Sequence, residues 1–284
     1  MRILILGGTG MLGHALWQAW QDKFDTYTTL RKTNQDYVIF SGWNKERIIN
    51  HVSVQEFETV TSAVEKVKPS ILINCIGIIK QIPSANDPIA TIKINSLFPY
   101  QLAQLCQKHD TKMIQISTDC VFSGNKGNYT EQDIPDPVDL YGRSKLLGEV
   151  IAPNCLTIRT SIIGRELNSQ HSLVEWFLAQ RGKPVKGYDR AIYTGFTTQA
   201  LVQTIEKTIL EYPNIEGLWH ISSDPITKYQ LLNMMNQAFN LGITIEKDEH
   251  FVCDRSLNSQ KFRDFTGYTP PTWDEMIVQL AASQ

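Results

Sequence analysis

The stretch "RILILGGTGMLGHAL" (2–16) runs from an apolar segment through a cluster of glycines into a helical apolar pattern. That order reads as a buried strand, a tight turn and an amphipathic helix. Gly8-x-Gly10-x-x-Gly13 fits the dinucleotide fingerprint, and Gly7-x-x-Gly10-x-x-Gly13 fits its common variant. Such glycines let the backbone approach a pyrophosphate and let the helix pack closely on the strand. The helix start adds free N–H groups and the positive end of its dipole. Gly7, Thr9, Gly10, Met11, Leu12 and Gly13 are therefore the expected cofactor loop.

The alternation continues outward from the loop. "YTTL" (27–30), "SILINC" (70–75), "KMIQIS" (112–117) and "CLTIRT" (155–160) read as buried strands. Helical patterns lie between them over 11–21, 56–68, 92–109 and 141–151. This rhythm implies parallel βαβ units in a Rossmann-type, doubly wound α/β sheet. Pro99 predicts a kink or a late helix start inside the third pattern. After about residue 165 helical patterns dominate, with "GLWHIS" (217–222) the one clear strand. The expected organisation is a dinucleotide-binding domain over 1–164, completed by parts of 196–222. A smaller, α-rich substrate-binding part over 165–284 interleaves with it.

Composition narrows the function classes. The 284 residues carry a formal net charge of −2, with no long basic block, so neither nucleic acid nor an acidic membrane is an expected partner. The five cysteines (75, 106, 120, 155, 253) form no CxxC pair, which suits a reducing compartment and argues against a zinc site. The apolar run of "MRILIL" is too short for a signal-peptide core, and no segment approaches the ~20 apolar residues of a membrane span. A soluble, cytoplasmic protein without a metal is the expectation. A homo-oligomer is compatible with it.

An acid at the end of the second strand would grip the adenosine ribose of NAD. Arg31-Lys32 stands there instead, and two cations suit a 2′-phosphate. NADPH is thus favoured over NADH, the alternative being two solvated charges. Further on, Tyr141 and Lys145 lie i,i+4 in "YGRSK", on one face of a helix. An adjacent ammonium lowers a phenol's pKa and makes tyrosine usable as a general acid toward a carbonyl accepting hydride. Thr118, at the end of "KMIQIST", is placed to hydrogen-bond the same oxygen as it gains charge.

With these residues the chain resembles the extended short-chain dehydrogenase/reductases, and among them the dTDP-4-dehydrorhamnose reductase group of nucleotide-sugar 4-keto reductases. "GGTGMLG", "NCIG", "STDCVFSG", "YGRSK", "IRTSIIG" and "DRSLNSQKF" follow that group's order over essentially the whole chain. The resemblance implies a catalytic triad of Thr118, Tyr141 and Lys145, with Lys145 also holding the nicotinamide ribose. It implies that Asn95 acts in helix geometry and a proton relay. Cys75, Ile76 and Gly77 would line the cofactor, and Ser161 and Ile162 would meet the nicotinamide amide. The third strand usually ends in an Asp that touches adenine; "HVSVQE" (51–56) stands there, with Ser53 as the substitute.

On the substrate side the resemblance implies a nucleotide sugar. Arg190 is the diphosphate candidate and Tyr193 a neighbour of the base. Trp176, Lys80 and Arg255 are further candidates, each weighed against a core, solvated or ion-paired role. The implied activity is NADPH-dependent reduction of a dTDP- or UDP-linked 4-keto-6-deoxyhexose, with hydroxyl or acetamido at C2, in deoxysugar or polysaccharide biosynthesis. Ile162 stands where the group's dTDP enzymes carry Trp, which weakens the rhamnose assignment.

Related dehydratases carry Thr-Asp-Glu at the strand tip. Thr118-Asp119-Cys120 lacks the glutamate and argues against that elimination. In the similar GDP-fucose synthases a cysteine holds this place and works with a histidine, so Cys120 and His171 are candidates for moving protons at C3 or C5. The plain alternatives are a small filler and a helix-capping histidine. A further alternative is a non-catalytic, NADP-binding regulatory subunit, since proteins resembling this group serve in that way.

Overall fold

The computed structural model describes residues 1–33, 42–81, 83–167 and 170–282. In the first 160 residues the order is β1 (Arg2–Leu6), α1 (Met11–Trp20), β2 (Asp25–Thr29), β3 (Ile48–Ile49), α2 (Phe57–Val67) and β4 (Ile71–Asn74). Then come α3 (Pro88–Ile92), α4 (Phe98–Lys108), β5 (Lys112–Thr118), α5 (Leu140–Leu147) and β6 (Cys155–Thr160). The rest comprises β7 (Ile162–Ile163), α6 (Leu173–Leu178), β8 (Val185–Tyr193), β9 (Phe196–Thr197), α7 (Thr198–Glu211), β10 (Gly217–His220), β11 (Ile226–Thr227), α8 (Lys228–Ala238), β12 (Ile245–Asp254), α9 (Gln260–Thr266) and α10 (Trp273–Ala282).

A seven-stranded sheet, ordered β10-β6-β5-β4-β1-β2-β3, is parallel throughout. The period of two along β1 shows why it is covered on both faces. Ile3 and Ile5 enter one core with Trp17, Trp20 and Ile205, while Leu4 and Leu6 enter another with Val60, Val64 and Leu102. Helices α1 and α7 therefore cover one face, and α2 and α4 the other. β10 joins the sheet edge from the second half of the chain.

That half holds the expected helices and, in addition, a three-stranded sheet, β11-β8-β12, that the hydrophobic pattern did not announce. β12 runs parallel to β8, from Ile245↔Val185 to Asp254↔Ile192. The third strand of the main sheet lies at Ile48–Ile49, just ahead of the "HVSVQE" stretch. His51 turns the chain away with φ 60°, and Val52 donates to the Leu30 carbonyl. Ser53 consequently sits in a turn, where its hydroxyl accepts from the Gln55 N–H.

Between α3 and α4 the helix widens into one π-turn, Lys93–Leu97, and Pro99 falls in the first turn of α4, where its missing N–H costs little. The strand order reverses between β1 and β4, so a crevice opens at the carboxyl ends of β1, β4, β5 and β6. No helix among the described residues is long and apolar enough to cross a membrane.

Candidate active site

The glycine loop has the geometry its sequence demands. Gly7 adopts φ +84°, and a Cβ on Gly13 would lie 2.1 Å from the Gly7 carbonyl oxygen, so neither position tolerates a side chain unstrained. The Gly7 N–H donates to Thr29 Oγ1 and the Gly8 N–H to the Thr29 carbonyl, pinning the turn to β2. Gly10 caps α1, and no side chain makes a capping hydrogen bond at the helix start. This cradle fits a pyrophosphate. His14 backs it, with Nδ1 3.0 Å from the Gly10 carbonyl oxygen; burial lowers its pKa. Arg31 and Lys32 follow β2, exposed, and neither forms an ion pair among the described residues.

Thr118 ends β5. Its hydroxyl donates to Asp119 Oδ1 at 3.0 Å and accepts from the Cys120 N–H at 3.2 Å. Helix α5 starts beside it because the Asp139 carboxylate caps the Gly142 N–H at 2.7 Å. Gly142 is needed there: a Cβ would lie 2.2 Å from the Cys120 carbonyl oxygen. This docking brings Tyr141 to Thr118. Burial raises the phenol's pKa, as does Cys120, while hydrogen bonding to Thr118 opposes the rise. The phenol therefore keeps its proton at neutral pH.

Lys145 is buried one turn on and donates from Nζ to the Ile116 carbonyl at 2.6 Å. Burial lowers its pKa to about 8, against the opposing pull of Glu149. The expected ammonium effect on Tyr141 is not among the causes of the phenol's shift. Glu149 in turn forms a buried ion pair with Arg159, at 2.8 and 2.7 Å, and accepts from Ser117 Oγ at 2.6 Å. The Arg159 guanidinium also reaches His220 Nε2 at 3.2 Å.

The loop after β4 closes the cofactor side. The Asn74 side chain accepts from the Ile76 N–H at 3.1 Å, and Cys75 lies close enough to Lys145 to feel its charge. Asn95 points inward from the π-turn: Oδ1 accepts from the Ile78 N–H at 2.8 Å, and Nδ2 donates to the Ile78 carbonyl and to Ser144 Oγ. It thus ties the Cys75–Gly77 loop to the helix of Tyr141 and Lys145. Ser161 follows β6 and accepts from the Phe196 N–H, and Ile162 pairs with Phe196.

The substrate candidates separate into two groups. Arg255 joins the catalytic cluster because residues 122–130 zip onto 254–258, through Tyr129 N–H to Ser256 O, Asn258 N–H to Tyr129 O and Asp254 N–H to Gly124 O. Its Nε donates to the Phe122 carbonyl, and its Nη1 lies 3.8 Å from Cys120 Sγ. Lys80 Nζ lies 3.8 Å from the same sulfur. Tyr193 is buried, with Lys228 Nζ 3.9 Å from its ring centroid and Trp273 against it, so its ring faces are shared with the protein.

Arg190 and Trp176 remain exposed, on β8 and α6, and no hydrogen bond or ion pair among the described residues links them to the cluster. His171 is also exposed; its backbone N–H donates to the Glu166 carboxylate at 2.8 Å, and no contact joins it to Cys120. The Cys120 thiol is pushed up to about 12, chiefly by burial and by Asp119.

Lys228 is the residue that sequence reasoning missed. It stands in the first turn of α8, where a cation opposes the helix dipole, and that mismatch is the signal "ITKYQ" carried. Among the described residues no cluster of three or more His, Cys, Asp or Glu could hold a metal.

The chain is 26% identical over 254 residues to methionine adenosyltransferase 2 subunit beta of Rattus norvegicus, over 84% of this chain and 72% of that one. It is 24% identical over 237 residues to dTDP-4-dehydrorhamnose reductase of Aggregatibacter actinomycetemcomitans, over 80% and 75%. A crystal structure of dTDP-4-dehydrorhamnose reductase from Bacillus anthracis in complex with NADP shares the fold at TM-score 0.81 and 20% identity, over 100% and 98% of the two chains. The profile of the RmlD substrate binding domain matches residues 1–282, and the chain belongs to that family.

Proposed function

We propose that this protein reduces the 4-keto group of a nucleotide-linked 4-keto-6-deoxyhexose with NADPH. The sugar would be dTDP- or UDP-linked, with hydroxyl or acetamido at C2. The observation that carries this reading is that Tyr141 hydrogen-bonds to Thr118 while Lys145, one turn on, is tied to Ile116 of the same strand. When bound, NADPH supplies the hydride. Gly7, Gly10 and Gly13 would hold its pyrophosphate, Arg31 and Lys32 its 2′-phosphate, and Lys145 its nicotinamide ribose.

Tyr141 retains its proton because burial disfavours the phenolate. It releases that proton once the carbonyl oxygen becomes a stronger base during reduction, with the Thr118 hydroxyl turning from Asp119 to donate to the same oxygen. The test is NADPH oxidation against a panel of dTDP- and UDP-4-keto-6-deoxyhexoses, with Tyr141→Phe expected to lose about 10²–10⁴ in kcat. Absence of turnover across the panel would overturn the reading.

A second reading has its own support in the methionine adenosyltransferase 2 subunit beta relatives: a regulatory subunit that binds NADP and a partner enzyme. Under it, Tyr141→Phe would leave biological activity and NADPH binding unchanged.

A further inference from the structure

Three cations converge at Cys120. Lys80 comes from the loop after β4, Lys228 from the first turn of α8 and Arg255 from the segment after β12. Lys80 Nζ and Arg255 Nη1 each lie 3.8 Å from Cys120 Sγ, while Lys228 Nζ stands over the buried ring of Tyr193. None of the three forms an ion pair among the described residues. The acids that face them, Asp119 and Asp139, act on them at a distance and form an ion pair with none of them among the described residues. Asp119 accepts the Thr118 hydroxyl, and Asp139 caps α5.

The cations are not matched to a thiolate either. Burial and Asp119 keep Cys120 protonated despite Lys80 and Arg255. Burial chiefly, with Asp119 opposing it and Lys80 adding to it, lowers the pKa of Lys228 to about 8, which is the cost of holding a charge in this place. An incoming anion would relieve that cost.

We propose that Lys80, Lys228 and Arg255 form one seat for an oxyanion of the substrate, beside Thr118 and Tyr141, in place of the exposed Arg190. This rests on the reading of the crevice as a nucleotide-sugar site. The 6-deoxyhexose proposed above carries this charge only in the diphosphate joining it to the nucleoside; a C6 carboxylate, the other source, would make the substrate a uronate in place of a 6-deoxy sugar.

Calorimetric titration of the NADP⁺-loaded protein separates them, using UDP, UDP-glucose, UDP-glucuronate and dTDP as probes. The proteins are wild type, Lys80→Met, Lys228→Met, Arg255→Met and, as control, Arg190→Met. A seated diphosphate weakens UDP or dTDP binding about tenfold or more in the first three variants and not in the control. A seated carboxylate leaves UDP and UDP-glucose binding unchanged but abolishes any preference for UDP-glucuronate in those variants. Retained NADP⁺ binding reports an intact fold, and Lys228→Arg, which keeps the charge, should keep the affinity.

Binding of every probe within about twofold of wild type in all three variants would overturn the seat while leaving the nucleotide-sugar reading in place. Wild-type protein that binds none of the probes would overturn that reading, and the seat with it.

Discussion

The Lys145 ammonium donates to the Ile116 carbonyl at 2.6 Å, two residues before Thr118 on the same strand. The lysine is thereby fixed to the strand that carries the hydroxyl, independently of Tyr141. Because burial lowers its pKa to about 8, the ammonium is fully populated below that pH and is lost as pH rises through it. The Tyr141 phenol, shifted upward, keeps its proton over the same window. In the proposed reductase, kcat/KM should therefore be flat through neutral pH and fall by about tenfold per pH unit above roughly 8. A profile level to pH 10 would remove Lys145 protonation from the mechanism.

Glu149 sits four residues beyond Lys145 and opposes the loss of its proton. Glu149→Gln should move the alkaline limb to lower pH. It also leaves the buried Arg159 guanidinium without its counter-charge, at a cost of about 3–5 kcal/mol in unfolding free energy. Denaturant titration and the pH profile measure the two effects separately. A merely structural Glu149 would lose stability without moving the limb.

The parts legible in the sequence are those encoded by local spacing. Glycines within one turn of β1, and Tyr141 and Lys145 on one helix face, carry their geometry in their separations. The second sheet does not. β8, "VKGYDRAIY", mixes charged residues and a glycine into a strand half exposed, and β12, "IEKDEHFVCD", is partly exposed along its whole length, so neither shows a buried run. The approach of Arg255 to Cys120 joins residues 135 positions apart, through pairings of the 122–130 loop that no local pattern encodes. Asn95 turns inward only because the π-turn inserts a residue into the helix.

Two glycines of the loop should answer differently to alanine. At Gly13 a Cβ meets the Gly7 carbonyl oxygen at 2.1 Å, so Gly13→Ala should destabilise the folded protein itself. At Gly10 the nearest atom is 3.4 Å away and φ is −73°, which alanine accepts. Gly10→Ala should unfold at a similar temperature to wild type and yet bind NADPH about tenfold or more weakly, because its methyl occupies the anion's approach. Equal NADPH affinity in Gly10→Ala would mean that the pyrophosphate lies elsewhere.

Arg31 and Lys32 are exposed and form no ion pair among the described residues, so their removal breaks none there. The Arg31→Ala/Lys32→Ala protein should lose about 10- to 100-fold in NADPH affinity and little in NADH affinity. Fluorescence titration with both cofactors provides the comparison. A parallel loss for NADH would assign the pair to a role other than 2′-phosphate recognition.

Cys120 decides between reduction alone and reduction with epimerisation. A thiol held near 12 is a poor carrier of protons from a sugar carbon at neutral pH. His171, the expected second carrier, is exposed and has no contact with it. Turnover in deuterated water should therefore leave C3 and C5 of the product free of deuterium by NMR. Cys120→Ser, which preserves the size of the group between Lys80 and Arg255, should keep kcat within about threefold of wild type. Deuterium at either carbon, lost in Cys120→Ser, would show that substrate binding lowers the thiol's pKa enough for it to act as a base.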